Sequence, residues 1–309
     1  MKLSVVATLF RSAPYIAEFH RRASAAAREA AGDDYEILLV NDGSPDDSLD
    51  RAVALSEADE RVVVVDLSRN FGHHKAMMTG LAYARGDLVF LVDSDLEERP
   101  EWLGPFLARL RRDRCDVVYG VQRSRKGGWF ERWSGALFYR LMRALSSVDM
   151  PADMVTARLM TRRYVRALLL HEEREVDIGG LWAITGFDQR PHTVDKASTS
   201  ETTYTLGHRV AVLVNSLTSF SSAPLVLIFH VGVAISLASF LYLLVVVGTW
   251  LLTSEPVSGW TSLIVSVWLL GGTIIAFLGV IGLYLSKMFT EVKRRPYTIV
   301  RNVYGRDRP

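Results

Sequence analysis

Two aspartates separated by one residue, Asp93-Ser94-Asp95, end the apolar run Leu88-Val89-Phe90-Leu91-Val92. Carboxylates so spaced on a strand-end turn can both address one hard divalent cation. Mg2+ or Mn2+ prefers such oxygen ligands and is often completed by substrate phosphates. A cation there would neutralise a diphosphate and stabilise it as a leaving group. Glu97 adds a carboxylate nearby that either completes the metal shell or faces solvent. Acid pairs are common at strand ends, so the meaning of this one depends on its surroundings. Positive charge gathers at Arg123, Arg125 and Lys126, at Arg158, Arg162 and Arg163, and at Arg209. The planar fork of arginine suits a phosphate, although each is also readable as a solvated surface charge. His73 and His74 are adjacent and do not face one way on a helix, so they read as structural or ligand-contacting rather than as a metal pair.

The elements that must position these groups alternate. Lys2–Leu9, Tyr35–Asn41, Val62–Ser68, Leu88–Asp93 and Asp116–Gln122 read as strands, and Pro14–Ala31, Asp46–Ala58, His74–Ala84 and Glu101–Arg112 as helices. Ser12 is the expected N-cap of the first helix, with Pro14 in its first turn. Such alternation predicts an α/β fold with a mostly parallel sheet and helices on both faces. Ligands then gather at the carboxyl ends of the strands. The unusual polar groups fall there: Asn41-Asp42-Gly43-Ser44, Arg69-Asn70 and Asp93-Ser94-Asp95. Beyond the fifth strand, Gly127–Leu145 suits either a membrane-surface helix or a helix packed on the sheet. Met154–Leu170 reads as a strand or turn entering a basic helix, and Gly207–Ser222 as a second amphipathic stretch.

The net charge of +2 hides an uneven distribution. Leu225–Leu252 and Trp260–Ser286 carry no Asp, Glu, Lys or Arg, and each is long enough to cross a bilayer as a helix. The alternative, two buried core helices, fits poorly with such long uncharged runs. The linker Thr253–Gly259 carries only Glu255, whereas Lys287, Lys293, Arg294, Arg295, Arg301, Arg306 and Arg308 follow the second run. Basic flanks favour the cytoplasmic side, so a hairpin with both ends cytosolic is expected. Met1-Lys2 leads directly into Leu3–Leu9, too short for a signal-peptide core, and the lone Cys115 fits a reducing compartment. The expected division is an α/β domain over 1–206, an amphipathic segment over 207–224, a hairpin over 225–286 and a basic tail over 287–309.

Asp93-Ser94-Asp95-Leu96-Glu97-Glu98-Arg99-Pro100-Glu101 resembles the D-x-D-L-Q-x-x-P-E signature of family 2 glycosyltransferases related to dolichyl-phosphate mannose synthase and the bacterial polyprenyl-phosphate glycosyltransferases. Val40–Ser44, Arg69–His73, Gly80–Asp87, Arg158-Leu159-Met160, Ser219–Leu225 and Lys293–Tyr297 agree in order and spacing, so the resemblance covers nearly the whole chain. It implies a GT-A nucleotide-sugar domain, an inverting transfer from a nucleotide-sugar, expected to be UDP-linked, and a polyprenyl phosphate acceptor at the cytosolic face of a bacterial inner membrane. It also implies an oligomer, commonly a tetramer, and no nucleic-acid partner.

By position, the resemblance assigns the donor to Thr8, Phe10, Arg11, Asp42, Ser44, Asn70, Lys75, Asp93 and Ser94. It assigns the metal to Asp95; the carboxylate spacing adds Asp93 and Glu97, and the acceptor-phosphate candidates are Arg123, Arg158, Lys196, Tyr204 and Arg209. Asp153 and Arg158 are the catalytic candidates, with Asp149 a rival to Asp153. A phosphate monoester has a second pKa of about 6 and is largely dianionic at neutral pH, so such an acceptor reduces the need for a general base. This chain departs from its relatives at three places. Ala7-Thr8-Leu9-Phe10-Arg11 replaces a P-x-Y-N-E stretch, Glu97 stands where glutamine is common, and Ala197 and Ser200 occupy a loop where relatives carry arginine and glycine. A processive polysaccharide synthase would need a Q-x-x-R-W motif and more spans, whereas Trp182 here follows Gly179-Gly180-Leu181. A degenerate scaffold would account for the altered loops but not for the retained Asp93 and Asp95.

Overall fold

The computed structural model describes residues 2–122, 154–174, 177–195, 223–253 and 259–305. They form an α/β unit, comprising the described residues up to 195 together with 294–305, and a helical unit of 223–253 and 259–293. Gly127–Leu145, Gly207–Ser222, Arg123, Asp149, Asp153, Lys196, Tyr204 and Arg209 lie outside the described residues.

One eight-stranded sheet carries the α/β unit. Its strands are β1 (Leu3–Leu9), β2 (Tyr35–Asn41), β3 (Val62–Leu67), β4 (Leu88–Leu91), β5 (Val117–Gln122), β6 (Met154–Thr161), β7 (Gln189–Val194) and β8 (Val300–Tyr304). Their order is β7-β5-β6-β4-β1-β2-β3-β8. The block β3-β2-β1-β4 is parallel, as is β5 with β7. The sheet becomes mixed because β6 runs antiparallel between β4 and β5, and β8 antiparallel along β3.

The helices are α1 (Ile16–Ala31), α2 (Ser48–Ala58), α3 (His73–Tyr83), α4 (Leu103–Asp113) after a 3-10 turn at Pro100–Trp102, α5 (Arg162–Leu168) and α6 (Ile178–Ile184). Side chains alternate across a strand. Leu3, Val5, Ala7 and Leu9 of β1 therefore enter one core layer with Ile16, Phe19, Ala23 and Ala27 of α1. Val6 enters the other layer, with Met77, Met78 and Leu81 of α3. Both faces are covered, which is why these strands read as continuous apolar runs. Gly80 lets α3 sit close on the sheet: a Cβ there would lie 2.5 Å from Val6 Cγ1 and 2.9 Å from Val40 Cγ2.

Two expectations change. Ser12 does not cap α1: the helix starts after Tyr15 with no side-chain cap. The Ser12 carbonyl instead accepts the Tyr15 N–H at 2.9 Å in a turn that contains Pro14, and its hydroxyl accepts the Phe10 N–H at 3.1 Å. The second change is at the chain's end, where Val300–Tyr304 is no tail but the outer strand of the sheet, registered on Val64–Leu67.

In the helical unit, α7 (Ala223–Thr253) and α8 (Trp260–Val292) contain stretches long and apolar enough to cross a membrane, Pro224–Tyr242 and Ser266–Val292. Phe229, Trp268 and Ile275 are 65%, 77% and 72% exposed, so these are not the buried core helices of the alternative reading.

Candidate active site

The chain moves outward from β1 through β2 to β3, then returns to the opposite side of β1 as β4. Connections leaving β1 and β4 therefore diverge and open a crevice at their carboxyl ends, the usual ligand position in such sheets. Thr8 is the penultimate residue of β1, and Asp93 follows the end of β4 by two residues.

A histidine joins them. His73, first residue of α3, has Nδ1 3.0 Å from Thr8 Oγ1 and Nε2 3.3 Å from Asp93 Oδ1. Desolvation disfavours the imidazolium, but the hydrogen bond and charge of Asp93, with further charge from Glu98 and Asp42, outweigh it and raise the His73 pKa. Ser94 turns inward, and its hydroxyl donates to the Thr8 carbonyl at 2.7 Å and lies 3.1 Å from Ser12 Oγ. The backbone then turns through Leu96, whose φ is +64°, while Asp95 Oδ1 accepts the Glu97 N–H at 3.0 Å. Asp93 and Asp95 thus flank one buried serine at a strand end. Among the described residues no three His, Cys, Asp or Glu side chains form a ready metal cage. An open pair of carboxylates still fits Mg2+ or Mn2+, which commonly takes one or two protein carboxylates beside substrate phosphates.

The neighbouring loops are held by hydrogen bonds. Arg11, in the left-handed region at φ +54°, donates its N–H to Ser44 Oγ at 2.7 Å. Ser44 in turn donates to Asp46 Oδ1 at 2.5 Å. Burial opposes ionisation of Asp46, but hydrogen bonds from Ser44, Ser48 and Ala13 outweigh it and hold the pKa at about 2. Asp42 is buried, and its two oxygens accept the Phe71 and Gly72 N–H groups at 2.7 and 3.0 Å. Burial raises its pKa, with those two donors offsetting part of the effect. Between them Gly43 has φ +58°, and a Cβ would meet Arg69 C and Asn70 N at 2.4 Å. Phe10 and Asn70 are exposed beside these loops, and Lys75 lies in the first turn of α3.

Arg158 departs from the expectation of an acceptor-facing cation. It lies on β6 between Leu91 and Tyr119 and is 0% exposed, with the Trp182 ring over it at 2.9 Å from Cζ. Its Nη1 and Nη2 have no hydrogen-bond partner among the described residues. Burial pushes its pKa down to about 9, while charge from Tyr164, Glu98 and Tyr119 acts in its favour. The cause is placement in an interior strand, which a charged residue in the sequence does not advertise. Sequence reasoning also missed three groups. These are Glu98, whose Oε1 accepts the Thr156 N–H at 2.9 Å, and the pair formed by Asp66 and Arg301, 3.5 Å apart. Burial of Glu98 was not visible locally, because it sits between Glu97 and Arg99, whereas Asp66 lies between Val65 and Leu67 in the apolar run of β3.

Comparison with known proteins shows the family to which the chain belongs. The family described as Glycosyl transferase family 2 matches residues 4–169. The chain is 50% identical over 307 residues to a protein of Mycobacterium tuberculosis (strain CDC 1551 / Oshkosh) described as "Putative glycosyltransferases", covering 99% of this chain and 90% of that one. It is 30% identical over 320 residues to the bactoprenol glucosyl transferase of Shigella phage SfV, covering 98% and 99%. Among solved structures, glucosyl-3-phosphoglycerate synthase from Mycobacterium tuberculosis, in complex with Mn2+, UDP-glucose and phosphoglyceric acid, aligns with a TM-score of 0.45 at 20% identity, covering 69% and 76%. The chain belongs to glycosyl transferase family 2 and is a glycosyltransferase. Its α/β unit, a mixed sheet covered by helices, is followed in sequence by two apolar C-terminal helices.

Proposed function

We propose that this glycosyltransferase moves a sugar from a nucleotide-sugar, UDP-linked in the simplest reading, to polyprenyl phosphate at the cytosolic face of a bacterial inner membrane. The observation that carries the reading is the pair Asp93 and Asp95 at the crevice between β1 and β4, in a chain that also holds two membrane-length apolar helices. The name of the Shigella phage SfV relative supports the lipid acceptor.

In this reading the loops of Thr8–Arg11, Asp42–Ser44 and Asn70–Lys75 hold the nucleotide. Asp93 and Asp95, with Glu97 drawn in from the same turn, would hold the cation. Bound Mg2+ or Mn2+ supplies charge neutralisation for the departing diphosphate. The acceptor phosphate oxygen forms a bond to the anomeric carbon as the bond to the diphosphate oxygen breaks, with inversion, and the nucleoside diphosphate leaves. A dianionic phosphate needs no proton removed, so Asp153 serves better as a positioning group than as an obligatory base. Arg123, Lys196, Tyr204 and Arg209 are the acceptor-phosphate candidates, and Arg158 would act from beneath the crevice as a buried charge.

Topology supports a hairpin with both ends on one side. β3 precedes the apolar helices and β8 follows them, yet the two strands pair in one sheet, so the chain between them crosses a membrane an even number of times. The basic residues after α8 favour the cytosol for that side. Assembly into an oligomer through the helical unit belongs to the same proposal.

The test is direct. Protein in detergent is incubated with a panel of nucleotide-sugars, polyprenyl phosphate and Mg2+ or Mn2+. A glycolipid product that disappears with chelator is expected, and Asp95→Ala should lower turnover by about 100-fold or more, the scale of a lost metal contact. Absence of both product and metal-dependent nucleotide binding across the panel would overturn the reading.

A further inference from the structure

The strand that follows the membrane-length helices does more than close the sheet edge. Arg301 of β8 places Nη1 3.5 Å from Asp66 Oδ2 and donates from Nη2 to the Ser68 carbonyl at 2.6 Å. Asp66 is the penultimate residue of β3 and is 1% exposed, and among the described residues its only ion pair is with Arg301. Its other oxygen, Oδ1, accepts from Asn41 Nδ2 at 2.8 Å. That bond fixes the amide of Asn41, whose Oδ1 accepts the Ser44 N–H at 3.2 Å. Ser44 Oγ then takes the Arg11 N–H at 2.7 Å. A polar chain thus runs from the exposed guanidinium of Arg301, in charge contact with Asp66 but without a hydrogen bond to Oδ2, through two buried side chains linked by hydrogen bonds, to both loops at the carboxyl ends of β1 and β2.

The physical role of each link is distinct. A buried carboxylate needs a cation or several donors to remain charged. A charged Asp66 is the stronger acceptor for Asn41, and Asn41 held in that orientation presents its oxygen, not its NH2, to the Ser44 amide. Without Arg301 the carboxylate loses its counter-charge and the amide loses the reason for its orientation. We propose that Arg301 is a positioning residue for the donor-binding loops, acting through Asp66 and Asn41 without touching the substrate. This rests on the reading of Asp42–Ser44 and Thr8–Arg11 as donor loops. By it, the last strand of the chain belongs to the donor site.

The experiment compares Arg301→Ala, Arg301→Lys and Val303→Ala in the full-length protein. Val303, partly buried on the same strand, packs against the core, so its truncation loosens β8 without touching the polar chain. Arg301→Ala should raise the donor KM about tenfold, the equivalent of one charge-assisted hydrogen bond, with kcat within about twofold. Arg301→Lys should recover most of that loss. Val303→Ala should lower Tm and leave donor KM unchanged. Hydrogen exchange without any donor supplies an independent readout: the Ser44 and Arg11 amides should exchange faster in Arg301→Ala than in Val303→Ala. Equal KM and exchange effects in the two variants, or none in Arg301→Ala, would overturn the positioning role. Faster Ser44 and Arg11 exchange in a protein that binds no nucleotide-sugar would instead uphold the polar chain and overturn the donor reading.

Discussion

At the scale of single residues, the site is held by groups that touch backbone. Asp42 spends both oxygens on the Phe71 and Gly72 amides, and Gly43 follows with φ +58° and no room for a Cβ. Gly43→Ala should therefore cost about 2 kcal/mol or more, from left-handed strain plus the clash with Arg69 and Asn70. Denaturant unfolding measures this, and donor affinity should fall with it because the displaced backbone is the loop itself. The strand-end position of Asp93 and Asp95 was legible from the apolar run before them, although their pairing gained meaning only from the alternating sheet around it. The bridge from His73 to Thr8 and Asp93 was not, because it depends on where α3 starts relative to two distant strands. The burial of Arg158 was not legible for a similar reason: charge in sequence suggests surface, whereas this one lies within the sheet.

At the scale of elements, α5 is tied to the sheet by Asp116, which accepts from the Arg163 guanidinium, at 2.7 Å through Nη2, and from the Thr161 hydroxyl at 3.0 Å. Burial opposes ionisation of Asp116, but these partners outweigh it and lower the pKa below the usual 3.8. A depressed carboxylate pKa stabilises the fold above the unfolded value and loses that contribution as pH falls through the folded one. Asp116→Asn should accordingly lower Tm at pH 7, and the gap to wild type should close as the medium is acidified below about pH 4. β1 to β5 were readable because strands buried on both faces appear as unbroken apolar runs, and Tyr35–Asn41 matches β2 end to end. β7 and β8 were not. β7 is Gln-Arg-Pro-His-Thr-Val, and Pro191 is tolerated because the strand lies at the sheet edge. β8 lies behind a basic run that reads as a tail, and its partner β3 is far away in sequence.

At the scale of the whole molecule, the pairing of β3 with β8 is the structural support for the proposed hairpin, beside the charge pattern. The only native cysteine, Cys115, is buried, so single added cysteines report cleanly. In cells treated with a membrane-impermeant maleimide, Ser254→Cys should be labelled and Asp307→Cys should be protected until the membrane is opened. Labelling of both, or protection of both, in intact cells would contradict the hairpin. The apolar helices were legible because length and lack of charge are themselves the signal.

The outer strand has a consequence for biosynthesis. During translation β3 emerges early, yet the strand that covers its edge is made only after α7 and α8 have been synthesised. Until then Val62-Val63-Val64-Val65 forms an open, β-branched edge of the kind that templates pairing with other chains. A ribosome that stalls before Val300, or a truncation made to obtain a soluble enzyme, leaves that edge bare. Completion of the sheet is therefore a built-in mark that both helices have been synthesised, and an uncovered β3 is the surface by which chaperones or proteases would know an unfinished molecule.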